Sequence, residues 1–411
     1  MRVLKINSSR LRHDITELSN IGREADQGLY RLAFSDQDMM ARKWLANRIQ
    51  EAGLALYMDG AANIHGRLNW DGKTPSVMTG SHIDTIPGAG HLDGALGVIA
   101  GLECLRILKE SGLALKHPLE VLAFSDEEGR FGGMFGSQAI AGQLSPQKIH
   151  QAIDPEGINI STAMQAQGLN AMDALNAYRS PEGIKAFVEL HIEQGPILDK
   201  QGASIGVVEG INGLFKWLVR LKGNANHAGS TPMNMRQDAF QGLVEVATQI
   251  ERLLEENGSP RSVATIGHVE LAPGAANVIP GLAEFTLEVR DLDEQVLETL
   301  ADAFRRSISA IARRRNLMFE FEVLSQITPV KCDSAIQEHV KKSAQELGID
   351  CISLPSGAAH DTQIMAKITA AGMIFVPSKD GRSHSPAEWT AWEDIEHGAN
   401  VLLNTLLKLA Q

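Results

Sequence analysis

The chain is poor in cysteine. Cys104, Cys332 and Cys351 are the only three in 411 residues, too few and too scattered for a disulfide framework or a cysteine-based zinc site, and this usage favours a reducing compartment. It has no long apolar run either. The stretch from Val98 to Leu108 is interrupted by Glu103 and Arg106 and falls far short of the ~20 residues that span a bilayer. No secretion signal is expected, because Met1 to Asn20 mixes Arg2, Lys5, Arg10, Arg12, His13 and Asp14 with its apolar residues and no apolar h-region or small-residue cleavage site follows. The expected location is the cytoplasm, with no membrane partner.

Positive charge is scarce as well. Lys and Arg total 38 against 50 Asp and Glu, a net charge of −12, and such a chain repels a phosphate backbone unless it hides a strong basic patch. The one dense basic run, Arg313-Arg314-Arg315 with Arg305 and Arg306 before it, fits the solvated face of a helix better than a nucleic-acid patch. No nucleic-acid partner is expected. A dinucleotide-binding oxidoreductase would carry Gly-x-Gly-x-x-Gly, and Gly88, Gly90 and Gly94 miss that spacing by one. No Gly-x-Ser-x-Gly elbow of a serine hydrolase is expected, nor is any internal repeat or low-complexity tract.

The remaining composition, 44% hydrophobic and 21% charged, is that of a folded globular chain. Its length suggests two or three domains at roughly 150 residues each. Ser35 followed by Asp38 has the form of a capping box, and Met40, Trp44, Leu45 and Ile49 recur at helical spacing until Gly53. Then come apolar runs at Ser76 to Thr79, Leu119 to Phe124 and Lys185 to Leu190, with a helix from Gly94 to Lys109. This alternation predicts an α/β domain with a mainly parallel sheet and helices on both faces.

From Phe215 the order becomes strand (Phe215 to Leu221), helix (Asp238 to Glu256), strand (Val263 to Glu270), strand (Ala283 to Val289), helix (Glu294 to Arg314), strand (Phe319 to Leu324). That is the order of a ferredoxin-like split βαβ. After Pro329 the first style returns, with a helix from Ala335, a strand from Met373 and a closing helix from Trp392. The prediction is one catalytic α/β domain, residues 1–212 and 327–411, with an inserted α+β domain over 213–326.

Four strand ends carry side chains that can bind metal. Gly80-Ser81-His82-Ile83-Asp84 follows the apolar Val77-Met78-Thr79 and leads to Gly90, Asp93 and Gly94. In open α/β sheets ligands bind outside the carboxyl ends of strands, and the Asp84 carboxylate lies close enough to orient His82. Read alone, this segment fits an ordinary polar loop better than a metal site. Leu122-Ala123-Phe124-Ser125 then ends in Asp126-Glu127-Glu128-Gly129, three acids whose mutual repulsion needs offsetting. A cation would do so, with Glu128 as ligand and Glu127 standing off as general base toward a water; a solvated acidic turn is the alternative. Phe187-Val188-Glu189-Leu190 leads into His191-Ile192-Glu193-Gln194-Gly195, and a loop near the end reads Ser383-His384-Ser385-Pro386-Ala387-Glu388. His82, Asp93, Glu128, His191 and His384 make the composition of a two-metal N/O site, in which one carboxylate, best Asp93, bridges ions roughly 3.5 to 4 Å apart.

These segments, with Asn226-His227-Ala228-Gly229 and Asn277-Val278-Ile279-Pro280, resemble in order and along essentially the whole chain the amidase, hydantoinase/carbamoylase family. That family contains N-carbamoyl-L-amino acid hydrolase, β-ureidopropionase and allantoate amidohydrolase, and is a branch of the two-metal aminoacylase and carboxypeptidase clan. The resemblance implies two divalent ions per subunit (Zn, or Mn, Co or Ni), one held by His82, Asp93 and His191 and the other by Asp93, Glu128 and His384, with Glu127 as general base. Peptidase cousins usually have a carboxylate where His191 stands, so the histidine points toward small-molecule ureido acids.

It further implies a homodimer formed through the inserted domain, which closes as a lid. His227 reaches across from the partner subunit to the oxyanion, and Arg290 grips the substrate carboxylate. Gln194, Asn277 and the backbone at Gly357 hydrogen-bond the substrate, while His360 and Asp361 stand behind the metal ligands. The implied reaction is hydrolysis of N-carbamoyl-L-amino acids, with allantoate amidohydrolase or β-ureidopropionase activity as the alternative.

Overall fold

Period-two alternation divides the strands of the larger sheet between two apolar layers. Along Ile184–Ile192, Ala186, Val188, Leu190 and Ile192 enter one core, which also takes Leu102 and Leu105 of the helix Ala95–Ser111 and Leu402 and Leu406 of the helix Trp392–Ala410. Phe187 points the other way and joins Met78, Leu122, Phe124, Ile140 and Met365. Glu189 and His191 continue that second face by the same count of two. Buried side chains of this size stabilise by about 1.5–3 kcal/mol each.

A computed structural model describes residues 3–411, divided into two units, Met1–Gly210 with Lys331–Gln411, and Ile211–Val330. The first unit contains a sheet whose central strands run in the order Leu119–Phe124, Ser76–His82, Ile184–Ile192, Ala371–Val376, all parallel. Its flanks are antiparallel: Ile64–Leu68 and Ala55–Met58 on one side, Ile205–Ile211 on the other. The sheet is therefore mixed rather than mainly parallel. The flanking strands escape the expected pattern because they are short and interleaved with polar residues, as in Ile64-His65-Gly66-Arg67-Leu68.

Ser35 caps the helix Asp36–Glu51 by accepting from the Asp38 amide. Ala41, Leu45 and Ile49 form its buried face, whereas Met40, expected on that face, is exposed. Buried beside them is Arg42, which pairs with Asp38 at 3.0 Å and donates to the carbonyls of Ala62 and Phe124 at 3.0 and 3.1 Å. It thereby fixes the end of the strand that leads into Asp126-Glu127-Glu128.

The second unit has an antiparallel sheet in the order Val269–Ala272, Leu282–Asp291, Gly213–Lys222, Met318–Ile327. The helices Ala239–Asn257 and Glu294–Arg314 pack on Phe215, Trp217, Val219 and Leu221, which alternate with less buried neighbours. The single strand expected over Val263 to Glu270 is broken into Val263–Thr265 and Val269–Ala272. Gly267 lies in the break, where it offers no side chain to pack. Arg314 and Arg315 pair with Glu245 of the facing helix, so this basic run is engaged on the helix surface. Among the described residues no helix is long and apolar enough to cross a membrane.

Candidate metal centre

Strand ends and the turns after them deliver the donors. His82 closes Ser76–His82, Asp93 precedes the helix Ala95–Ser111, and Glu127 and Glu128 follow Leu119–Phe124. His191 lies near the end of Ile184–Ile192, and His384 stands in the loop after Ala371–Val376. Three non-glycine residues here adopt left-handed backbone: Asp126 at φ 51°, Gln194 at 57° and His384 at 53°. Such conformations cost about 1–3 kcal/mol each and persist only where the surroundings impose them.

The two oxygens of Asp93 face different partners. Oδ1 lies 3.2 Å from His191 Nε2 and 3.5 Å from His82 Nε2. Oδ2 lies 3.3 Å from His384 Nε2, which is itself 3.5 Å from Glu128 Oε2. The donor atoms of His82, Asp93 and His191 fall within 4.8 Å of one another, as do those of Asp93, Glu128 and His384. Beside the first set, Glu127 Oε2 is 3.5 Å from His82 Nε2. His82 Nδ1 donates to the Asp84 carbonyl at 3.0 Å and His191 Nδ1 to the Ile192 carbonyl at 2.9 Å. Both rings are thus held from behind with Nε2 turned to Asp93.

The cluster gathers acidic groups that burial and mutual repulsion disturb. Burial pushes the Glu127 carboxyl well up, and Asp361, Glu128 and Asp93 add to this against the pull of His82. Burial and then Asp93 raise Glu128 to about 7. Burial would raise Asp93 too, but hydrogen bonds with His191, His384 and His82 outweigh it and hold that carboxyl well below its usual range. For His384, the bond to Asp93 is the main cause of a rise to about 9. Crowded carboxylates here draw protons onto their histidines, the positions that metal cations fill in N/O sites. Two buried oxygens, Glu128 Oε1 and Gln194 Oε1, also have no hydrogen-bond partner among the described residues, a cost of about 1–3 kcal/mol each unless a ligand meets them. The donor set therefore fits divalent ions of the Zn, Mn, Co or Ni type.

Several details depart from expectation. It is the main-chain carbonyl of Asp84 that orients His82; the carboxylate instead accepts from the Glu128 amide at 3.3 Å and lies 3.8 Å from Arg42. Asp126 builds the turn, accepting from the Phe131 amide at 3.1 Å. Gly202-Ala203-Ser204-Ile205-Gly206 does match Gly-x-Ser-x-Gly in letters, but Ser204 lies between a helix end and the strand Ile205–Ile211. An elbow needs the reverse order, strand then helix.

Two side chains without an expected role brace the centre. Glu388 is buried and accepts from the amides of Leu92 and Asp93 at 2.8 and 3.1 Å, and Ser383 Oγ lies 3.0 Å from Glu388 and 3.1 Å from Asp93 Oδ2. Both stand in a motif quoted above, yet no spacing rule marks them. Gln194 reaches Asp93 Oδ2 at 2.7 Å, and Gly357 follows the strand Cys351–Ser356. His227, Asn277 and Arg290 belong to the second unit. There the Ala228 amide donates to the Asn277 carbonyl at 2.9 Å, and Arg290 pairs with Glu288 at 2.8 Å.

The sequence pattern of peptidase family M20/M25/M40 matches residues 71–408. A crystal structure of an amidase of the hydantoinase/carbamoylase family from Burkholderia multivorans is 34% identical, covering 99% of this chain and 98% of that one, with a TM-score of 0.92. This chain belongs to the hydantoinase/carbamoylase amidases of family M20. Among its relatives in the family, an N-carbamoyl-L-amino acid amidohydrolase of Geobacillus stearothermophilus is 40% identical over 99% of both chains. An allantoate amidohydrolase of Bacillus subtilis is 35% identical over 96% of this chain and 95% of its own.

Proposed function

We propose that this amidase hydrolyses the ureido C–N bond of N-carbamoyl-L-amino acids, releasing the amino acid, ammonia and carbon dioxide. The observation that carries the reading is Asp93, whose two oxygens face two histidine-containing donor sets while Glu127 stands beside one of them. His82, Asp93 and His191 would hold one divalent ion, and Asp93, Glu128 and His384 the other. When bound, such ions polarise a carbonyl and make water acidic enough to attack at neutral pH.

Glu127 takes the proton of the attacking water and returns it to the leaving nitrogen. His227 Nδ1 accepts from the amides of Gly229 and Ser230 at 3.2 and 3.1 Å, so Nε2 carries the hydrogen and is a donor suited to an oxyanion. We assign it to the partner subunit's site in a homodimer. Arg290 meets the substrate carboxylate with a planar guanidinium oriented by Glu288. Gln194, Asn277 and the Gly357 backbone complete the polar contacts.

The inserted unit serves as lid and dimerisation domain. Its second, third, first and fourth strands lie in that order across the sheet, which supports the ferredoxin-like reading. Three unbridged cysteines, two of them buried, support a cytoplasmic location.

A second reading, allantoate hydrolysis at the same site, is favoured by the similarity to the Bacillus subtilis enzyme. Ammonia release by manganese-reconstituted protein separates the two. Faster release from N-carbamoyl-L-methionine than from allantoate, abolished by a chelator, is the expected result. Faster release from allantoate selects the second reading, and no ammonia from either substrate overturns both.

A further inference from the structure

We infer that Glu189 is a positioning residue that ties the histidine ligands to the loop running from Ser356 to His360. This rests on the reading of His82 and His191 as metal ligands and of Gly357 as a substrate contact. Glu189 is fully buried in the strand Ile184–Ile192, two residues before His191. Its Oε1 accepts from Ser81 Oγ at 2.6 Å, beside His82. Its Oε2 accepts from the Thr362 amide at 3.0 Å and from Thr362 Oγ1 at 2.6 Å. One carboxylate thus grips the strand of His82, its own strand and the start of the helix Asp361–Met365.

The chain of contacts continues into the loop. His360, two residues before Thr362, packs edge-on against His191 with ring centroids 4.5 Å apart. His360 Nε2 is 2.9 Å from Ser356 Oγ, which also lies 2.8 Å from the Ala358 carbonyl and accepts from the Ala358 amide at 3.1 Å. Ser356 therefore closes the turn that contains Gly357. Glu189, His191 and His360 also have donor atoms within 4.8 Å of one another, the spacing of a third cation group. However, both oxygens of Glu189 are already taken up by three neutral donors, so the group acts as a brace rather than a binding site.

Each arm of the brace has its own readout in the full-length enzyme. Ser81→Ala releases the ligand side and should weaken manganese binding by about 10-fold, the lower end for lost outer partners of metal ligands. Thr362→Val keeps the side-chain shape but loses one hydrogen bond, and should raise KM for N-carbamoyl-L-methionine about 5-fold while manganese affinity and kcat stay near wild type. Glu189→Ala should do both. Calorimetric titration of chelator-stripped protein with manganese, together with steady-state ammonia release, measures the three. Should Glu189→Ala not fold, the two single-arm variants still decide the matter. Variants that lower the melting temperature while manganese affinity and KM stay at wild-type values would reduce Glu189 to a packing role and overturn the inference. Wild-type protein that neither binds manganese nor turns over would instead remove the parent reading, and this inference with it.

Discussion

Glu127→Gln is expected to fold and bind metal like the wild type while losing about 100-fold or more in kcat, the usual worth of a general acid–base group. Glu127 lies half-buried beside the first donor set, 3.5 Å from His82, but belongs to neither of the two sets built on Asp93. Glutamine copies its volume and one acceptor oxygen, yet cannot take a proton from water or deliver one to a leaving nitrogen. The loss should therefore fall on kcat, with KM and metal content little changed. Metal analysis alongside steady-state ammonia release checks this, and full turnover would remove Glu127 from the role of base.

Gly94→Ala should abolish the centre by a different route. Gly94 has φ +63°, and a Cβ there would lie 2.4 Å from His82 Nε2, the atom that faces Asp93. With ψ −49° as well, this backbone lies outside the regions open to an L-residue. Displacing His82 by about 1 Å is enough for a loss of roughly 100-fold in activity, and manganese affinity should fall with it. Gly112 is the control for a positive φ without a contact: its backbone is left-handed at φ 62° and ψ 13°, and among the described residues nothing lies within 4 Å of a Cβ built on it. Gly112→Ala should carry the backbone cost in its melting curve and leave turnover unchanged. Equal activity losses in the two variants would show that strain, not the contact with His82, governs the effect.

Much of this was legible in the residues, for physical reasons that can be named. His82, Asp93, Glu128, His191 and His384 stand where apolar runs give way to glycine-flanked polar turns, and that is where an α/β sheet collects its ligands. The helix Glu294–Arg314 appears with the expected bounds, because its apolar face repeats over many turns and Asp293 caps it by accepting from the amides of Gln295 and Val296. Short flanking strands were not legible. His65 of Ile64–Leu68 is buried only because Asp59 and Glu120 meet its ring nitrogens at 3.2 and 2.9 Å, a compensation visible only in three dimensions.

The braces of the centre were hidden for a related reason. Glu388 and Glu189 are acidic residues that sequence logic places outside, and each is buried because amide and hydroxyl donors from distant segments converge on it. The Asp84 carboxylate misled in the opposite direction. A His-x-Asp spacing allows either the side chain or the main-chain carbonyl to reach the imidazole, and the turn after His82 selects the carbonyl.

In the proposed site Asp93 serves two cations at once. Metal analysis of manganese-reconstituted protein, freed of excess ion, compares the wild type with Asp93→Ala most directly. Two equivalents per chain are expected in the wild type and loss of both in the variant, since Asp93 is common to the two donor sets. A wild type that holds a single equivalent, or an Asp93→Ala protein that keeps two, would contradict it.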